Sequence, residues 1–222
     1  MADASRFSGF PVEAFEFYDQ LAVNNARPWW QEHKADYERY VRDPLLALTG
    51  ELADEFGAAR LFRPYRDTRF SKDKTPIKDH QGAAVYLEDA LGYYVQVSAA
   101  GLFVAGGWYS PQGQQLQRFR DAISAGHAGH VRGLVKKAQK QGWEVDGQQV
   151  KTRPRGVAAD DPNLDLLRMR MLTLGRTYPV EPWLGTRKSL TVVRSGWRQI
   201  RPLLEWLADT VGPAVDPADQ GD

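Results

Sequence analysis

Apolar residues recur at two different periods along this chain, and the change of period divides it. From Phe10-Pro11 onward, Ala14, Phe17, Tyr18 and Leu21 fall three and four residues apart, which places them on one helical face until Asn24-Asn25 ends the run. A second helix is predicted to begin around Trp29 and Trp30. Asp43-Pro44 supplies an N-cap and a first-turn proline for a third helix, which carries Leu45, Leu48, Leu52 and Phe56 and stops at Gly57. Beyond residue 60 the repeat becomes two. Leu91, Tyr93, Val95 and Val97 alternate with Gly92, Tyr94, Gln96 and Ser98, as in a strand with one buried face. Residues 82–87 and 101–108 read as its neighbours, and links this short favour antiparallel pairing in a meander.

Helical spacing then returns. Ser110-Pro111 is a cap for a helix bearing Leu116, Phe119 and Ile123, and Val131, Leu134, Val135 and Ala138 mark another that ends at Gly142. Asp146-Gly147 predicts a hairpin turn between Trp143–Val145 and the segment around Val150. Asp161-Pro162 is a further cap-like pair, followed by a short helical turn and a strand over 168–176. Trp197, Ile200, Leu203, Leu204, Leu207 and Val211 form the last stripe. Pro202 inside it is expected to kink the helix or start a new one, Ser195-Gly196 reads as a cap or bend, and Gly212-Pro213 closes the run. The expected fold is α+β, a mainly antiparallel sheet with N-terminal and C-terminal helices packed on it. It is read as one domain over residues 1–212, followed by a disordered acidic tail over 213–222.

Composition narrows the function classes. With 222 residues, 42% of them hydrophobic, the chain can bury one large core without a metal or disulfide staple. The absence of cysteine excludes thiolate nucleophiles, thiolate zinc sites and iron–sulfur ligation, and agrees with a reducing compartment. The N-terminal stretch has no long apolar run or basic lead-in, and no uncharged apolar segment approaches the roughly 20 residues that span a bilayer. A cytoplasmic protein with no membrane partner and no cofactor is expected, and the oligomeric state is not written in the sequence. The 29 Lys and Arg nearly cancel the 28 Asp and Glu, so any electrostatic partner must be sought locally.

Residues 60–78 are where the charge is uneven. Seven cations, Arg60, Arg63, Arg66, Arg69, Lys72, Lys74 and Lys78, stand against Asp67 and Asp73. The run Arg63-x-x-Arg66-Asp67-x-Arg69-Phe70-Ser71-x-Asp73-Lys74-x-Pro76-x-Lys78 resembles the signature of the DUF2461 family. Asn24-Asn25 with Trp29-Trp30, and Arg153-Pro154-Arg155-Gly156, fall where that family has its other blocks, so the likeness covers nearly the whole chain. The family has no established activity, and the resemblance therefore implies a fold rather than a reaction. One position departs, since Ile77 stands where the family usually has tyrosine.

Guanidinium forks grip two oxygens at once and lysines act as mobile point charges, a mixture suited to an anionic ligand. The candidate site is a pocket for a small phosphate- or carboxylate-bearing ligand built from Arg63, Arg66, Arg69, Lys74 and Lys78, with help from Arg153 or Arg155. Asp67 and Asp73 are the local candidates for acid or base, and an extended backbone would set Asp67 beside Arg69 as an ion pair. Two other readings fit the same residues: a flat nucleic-acid or protein interaction patch, and a structural brace of arginine and aspartate.

Elsewhere the signals are thinner. His127-x-x-His130 has no further ligand at a zinc spacing, so no metal is expected there. Glu144 with Asp146, and Asp160 with Asp161, read as turn and cap residues. Gly106-Gly107 and Gly126–Gly129 match no phosphate-binding loop, and no GxSxG elbow is present. In the pairs Trp29-Trp30 and Tyr93-Tyr94, one ring can be core while the other reaches the surface.

Overall fold

The computed structural model describes residues 6–69 and 72–214. It confirms an α+β fold in which six antiparallel strands are arranged in the order β1-β2-β3-β4-β6-β5. The strands are β1 (Arg60–Leu61), β2 (His80–Glu88), β3 (Leu91–Ser98), β4 (Gly101–Trp108), β5 (Glu144–Asp146) and β6 (Leu172–Tyr178). The helices are α1 (Glu13–Asn24), α2 (Arg27–Asp36), α3 (Asp43–Gly50), α4 (Ala53–Phe56), α5 (Gly113–Ala122), α6 (Ala128–Lys140), α7 (Leu164–Leu167) and α8 (Lys188–Val211). Two compact units share these elements, each assembled from separated segments. The first takes residues up to 85, 94–104 and 177–196, and the second takes 86–93, 105–176 and 197 onward.

The meander β2-β3-β4 forms as its alternation requires, with Val95 and Val97 fully buried and Gln96 and Ser98 half-buried. Other elements depart from expectation for identifiable reasons. Asp43-Pro44 caps nothing, because the chain is helical from Arg27 to Gly50. Pro44 has no N–H to offer and its ring crowds the preceding turn, a conflict that the π-helical stretch Tyr37–Arg42 relieves by moving the ladder to wider bonds, as in Asp43 N–H to Glu38 O. The cap of α5 is Gln112 rather than Ser110, since Gln112 and Gln115 bond reciprocally across the first turn. Asp146-Gly147 makes no local hairpin. β5 instead pairs with β6, Glu144 opposite Gly175, and the backbone near Val150 bonds to Arg168 O, so a distant partner overrides the turn signal. The final helix starts nine residues before Trp197, carries Ser195-Gly196 in its interior and runs through Pro202. The tail expected from residue 213 lies, past Ala214, outside the described residues.

In the second unit, Trp197 packs on Tyr93 at 5.2 Å, and Trp108 meets Phe119 at 5.3 Å between ring centres. The end of α8 and the two residues after it receive side chains: Arg118 donates to the carbonyls of Val211 and Pro213, and Gln115 donates to that of Gly212.

The first unit closes around one carboxylate. Arg187 grips both oxygens of Glu51 at 2.8 and 2.6 Å, and Phe7 N–H donates to the same group at 2.8 Å. Arg187 also donates to Phe7 O at 2.5 Å, which ties the N-terminal segment to the helices. The backbone beside it is close-packed: Gly9 has φ of 134°, and a Cβ there would lie 2.1 Å from the carbonyl carbon of Gly185. The Arg187 hydrogen bonds, with the Phe7 amide, hold the Glu51 carboxyl down at about 2 against an ordinary 4.5. A carboxyl whose folded-state value is depressed contributes stability that is complete above its ordinary value and lost as pH falls toward the folded one. Acid unfolding of the protein is therefore expected to steepen between about pH 4.5 and 2. In Glu51→Gln that pH-dependent component should vanish and the melting temperature at neutral pH should fall, as circular dichroism melts across this range would show.

Candidate functional site

Residues 60–66 and 76–78 form an irregular antiparallel extension of the sheet's β1 edge. Phe62 N–H bonds to Gly82 O, Arg66 N–H to Pro76 O and Lys78 N–H to Pro64 O, with Tyr65 bridged opposite Ile77. Both prolines sit where only a carbonyl is called for, so their missing N–H costs nothing. The opposite side is fastened by Asn25, whose side-chain amide accepts from Ile77 N–H at 3.1 Å and donates to Ile77 O at 2.9 Å. Ile77 is 2% exposed, so the position where the family usually has tyrosine here meets the interior. Gln81, also buried, accepts from the Tyr37 hydroxyl at 2.6 Å and donates to Phe62 O at 2.7 Å, a second tie between this edge and the helices of the first unit. Burial pushes Tyr37 up to about 12, which keeps its hydroxyl protonated as that donor.

A groove of about 530 Å³ opens beside this extension, and its lining comes from the first unit alone. Arg27, Trp30, Tyr65, Arg66, Lys74 and Ile77 contribute to it. Trp30 is 1% exposed and meets the edge of Tyr65 at 5.9 Å and 70°, while Tyr65 itself stays 45% exposed. Arg66 bonds Asp73 through Nη1 at 2.5 Å and approaches Asp79 at 3.8 Å, and its Nε is buried with no hydrogen-bond partner among the described residues. Lys74 donates to Thr68 O at 2.8 Å. Asp73 also accepts from the Thr75 amide and hydroxyl, at 2.9 and 2.8 Å, which shapes the turn.

Of the residues singled out from sequence, the groove therefore gathers Arg66 and Lys74. Arg69 turns to Asp67 in the expected ion pair, bidentate at 3.0 and 2.7 Å, with its side chain 77% exposed. Lys78 lies 5.6 Å from the centre of the Phe62 ring, and Arg63 is exposed outside the lining. Burial, then the charges of Arg63 and Arg66, depress the pKa of Lys78. Arg153 and Arg155 belong to the second unit, in the loop after β5, while Phe70 and Ser71 lie outside the described residues. The carboxyl of Asp67 is lowered by its bonds from Arg69, and that of Asp73 by its bonds from Thr75 and then by Arg66. A proton acceptor works best with a pKa near the operating pH, and both aspartates are shifted the wrong way for general acid or base catalysis.

Arg27, Trp30, Tyr65 and the clamping role of Asn25 were not assigned to the site from the sequence. The Asn24-Asn25 and Trp29-Trp30 pairs were visible, but nothing local shows that Asn25 meets Ile77, fifty-two residues on, or that Trp30 meets Tyr65, thirty-five residues on. In the two adjacent aromatic pairs one ring is indeed core, Trp30 and Tyr93, while Trp29 and Tyr94 are half-buried. His127 and His130 both lie against Trp206, at 6.0 and 6.2 Å, and among the described residues no group of three or more His, Cys, Asp or Glu could hold a metal. Among those residues, too, no helix is long and apolar enough to cross a membrane.

An α+β domain with a cationic, aromatic-walled groove beside its β1 edge is the class these features define. The chain belongs to the DUF2461 family, described as a conserved hypothetical protein, whose model matches residues 13–206. No match to the chain was found among curated proteins, nor among solved structures.

Because Asn25 serves both polar groups of a buried backbone unit, Asn25→Ala is expected to leave them unpaired and to destabilise the protein by about 1–3 kcal/mol. Urea unfolding measures that loss, and an unchanged midpoint would mean the clamp is replaced by solvent.

Proposed function

We propose that the protein is a cytoplasmic binder of a small phosphate- or carboxylate-bearing molecule, held in this groove by Arg66 with Arg27 and Lys74. The observation that carries the reading is the Arg66 guanidinium: it reaches into a concave site, its buried Nε has no hydrogen-bond partner among the described residues, and it already holds a carboxylate, that of Asp73, at 2.5 Å. A carboxylate at that spot marks what chemistry the guanidinium accepts, and a ligand oxyanion would take its place.

A second reading is favoured by the internal bonds of the loop. Arg69 with Asp67, and Lys74 with Thr68 O, are what a structural brace would show, and exposed pairs of this kind add little stability. For Arg69 the brace is the simpler account, because its fork is engaged by Asp67.

A thermal-shift series with inorganic phosphate, citrate and other small anions separates the two. At about a hundred times its dissociation constant a bound anion should raise the melting temperature on the order of 5–10 °C, and Arg66→Ala should abolish the rise. Asp73→Asn keeps the Oδ1 that holds Thr75 but drops the competing charge, so it should tighten anion binding severalfold. Loss of stability in Arg66→Ala with no anion response in the parent protein would leave only the brace.

A further inference from the structure

The groove is much larger than a bare anion needs. At about 530 Å³ it falls in the roughly 300–1,000 Å³ range of sites that enclose whole organic ligands. Its wall includes an aromatic side chain that folding has oriented but not buried. Tyr65 is 45% exposed although Trp30 fixes its edge at 5.9 Å, with the indole Nε1 3.4 Å from the phenol oxygen. Trp30 in turn is wedged against Tyr37 at 4.9 Å and Phe17 at 6.2 Å, so the Tyr65 ring is held by a rigid aromatic cluster. An exposed ring held this way pays no conformational cost when a flat partner stacks on it, and base–aromatic stacking tolerates any π face. Tyr65 and Arg66 both line the groove, so the stacking surface and the principal cation face one site.

We infer that the ligand is a planar heterocycle carrying a phosphate, the chemistry of a nucleoside monophosphate: the ring stacks on Tyr65 while the phosphate is taken by Arg66, Lys74 and Arg27. This rests on the anion-binding reading above and adds the ring. The same ring–phosphate unit occurs as a free mononucleotide and at the 5′ end of a single-stranded nucleic acid.

Isothermal titration of the full chain with AMP, ribose 5-phosphate, inorganic phosphate and a 5′-phosphorylated single-stranded hexanucleotide tests it. AMP is expected to bind at least about tenfold more tightly than ribose 5-phosphate. Tyr65→Ala should erase that difference while leaving ribose 5-phosphate binding in place, and Tyr65→Phe, which keeps the ring and loses only the hydroxyl, should preserve it. A hexanucleotide that binds more tightly than AMP assigns the unit to a nucleic-acid end, and one that binds no better assigns it to a free nucleotide. Equal affinity for AMP and ribose 5-phosphate, or AMP binding that Tyr65→Ala leaves unchanged, overturns the inference about the ring while the anion site stands. Failure of every phosphate to bind overturns both.

Discussion

The candidate site depends on a side-chain amide that stands in for a strand. Asn25 offers Ile77 the donor and acceptor that a neighbouring backbone would offer, and so secures a segment with no regular strand beyond it. A two-residue strand such as β1 cannot hold a loop of this length by its own ladder. With Asn25 on one side and the Pro64 and Pro76 carbonyls paired on the other, the positions of Tyr65 and Arg66 are set by backbone geometry rather than by charge. That is why the groove can present a guanidinium whose carboxylate partners reach it only through Nη1 and Nη2.

Counting charges along residues 60–78 shows where the cations are, and not where they point. Alternation along an extended chain sends neighbours to opposite sides, so one basic run divides its arginines between a groove, a local ion pair and open solvent. Arg66 goes to the first, Arg69 to the second and Arg63 to the third. Two aspartates within the same run absorb much of the apparent excess. Asp67 does so by a short-range pairing that sequence spacing could reveal, and Asp73 by a turn whose geometry it could not. The concavity itself comes from Trp30 and Tyr65, which are thirty-five residues apart.

The same boundary runs through the fold. Signals carried by a few neighbouring residues were legible: the three-and-four spacing of α1, the stops at Gly57 and Gly142, and the two-residue repeat of β3. Errors arose where a distant partner outbid a local preference. Asp146-Gly147 is a good turn pair, but β6 offers β5 a full antiparallel ladder and a side-chain bond from Thr173 besides. Pro44 and Pro202 look like helix starts because proline fits a first turn. Yet the helices pass through both, since burial of Leu45, Leu48, Leu203 and Leu204 favours continuing and a widened turn before Pro44 absorbs its strain.

In the proposed binding mode, Asp73 links the loop to the ligand. Its Oδ1 shapes the turn through Thr75 while its Oδ2 accepts from Arg66, so a single carboxylate both orders the loop and stands where the proposed anion would bind. A phosphate bound in the proposed way would displace Oδ2 without disturbing Oδ1, so the loop would keep its turn while releasing the guanidinium. The exchange replaces one charge-assisted contact by another, so net affinity would come from what the ligand adds beyond charge. Asp73 already supplies Arg66 with a negative charge, whereas a ligand with a ring would add contact on the exposed Tyr65.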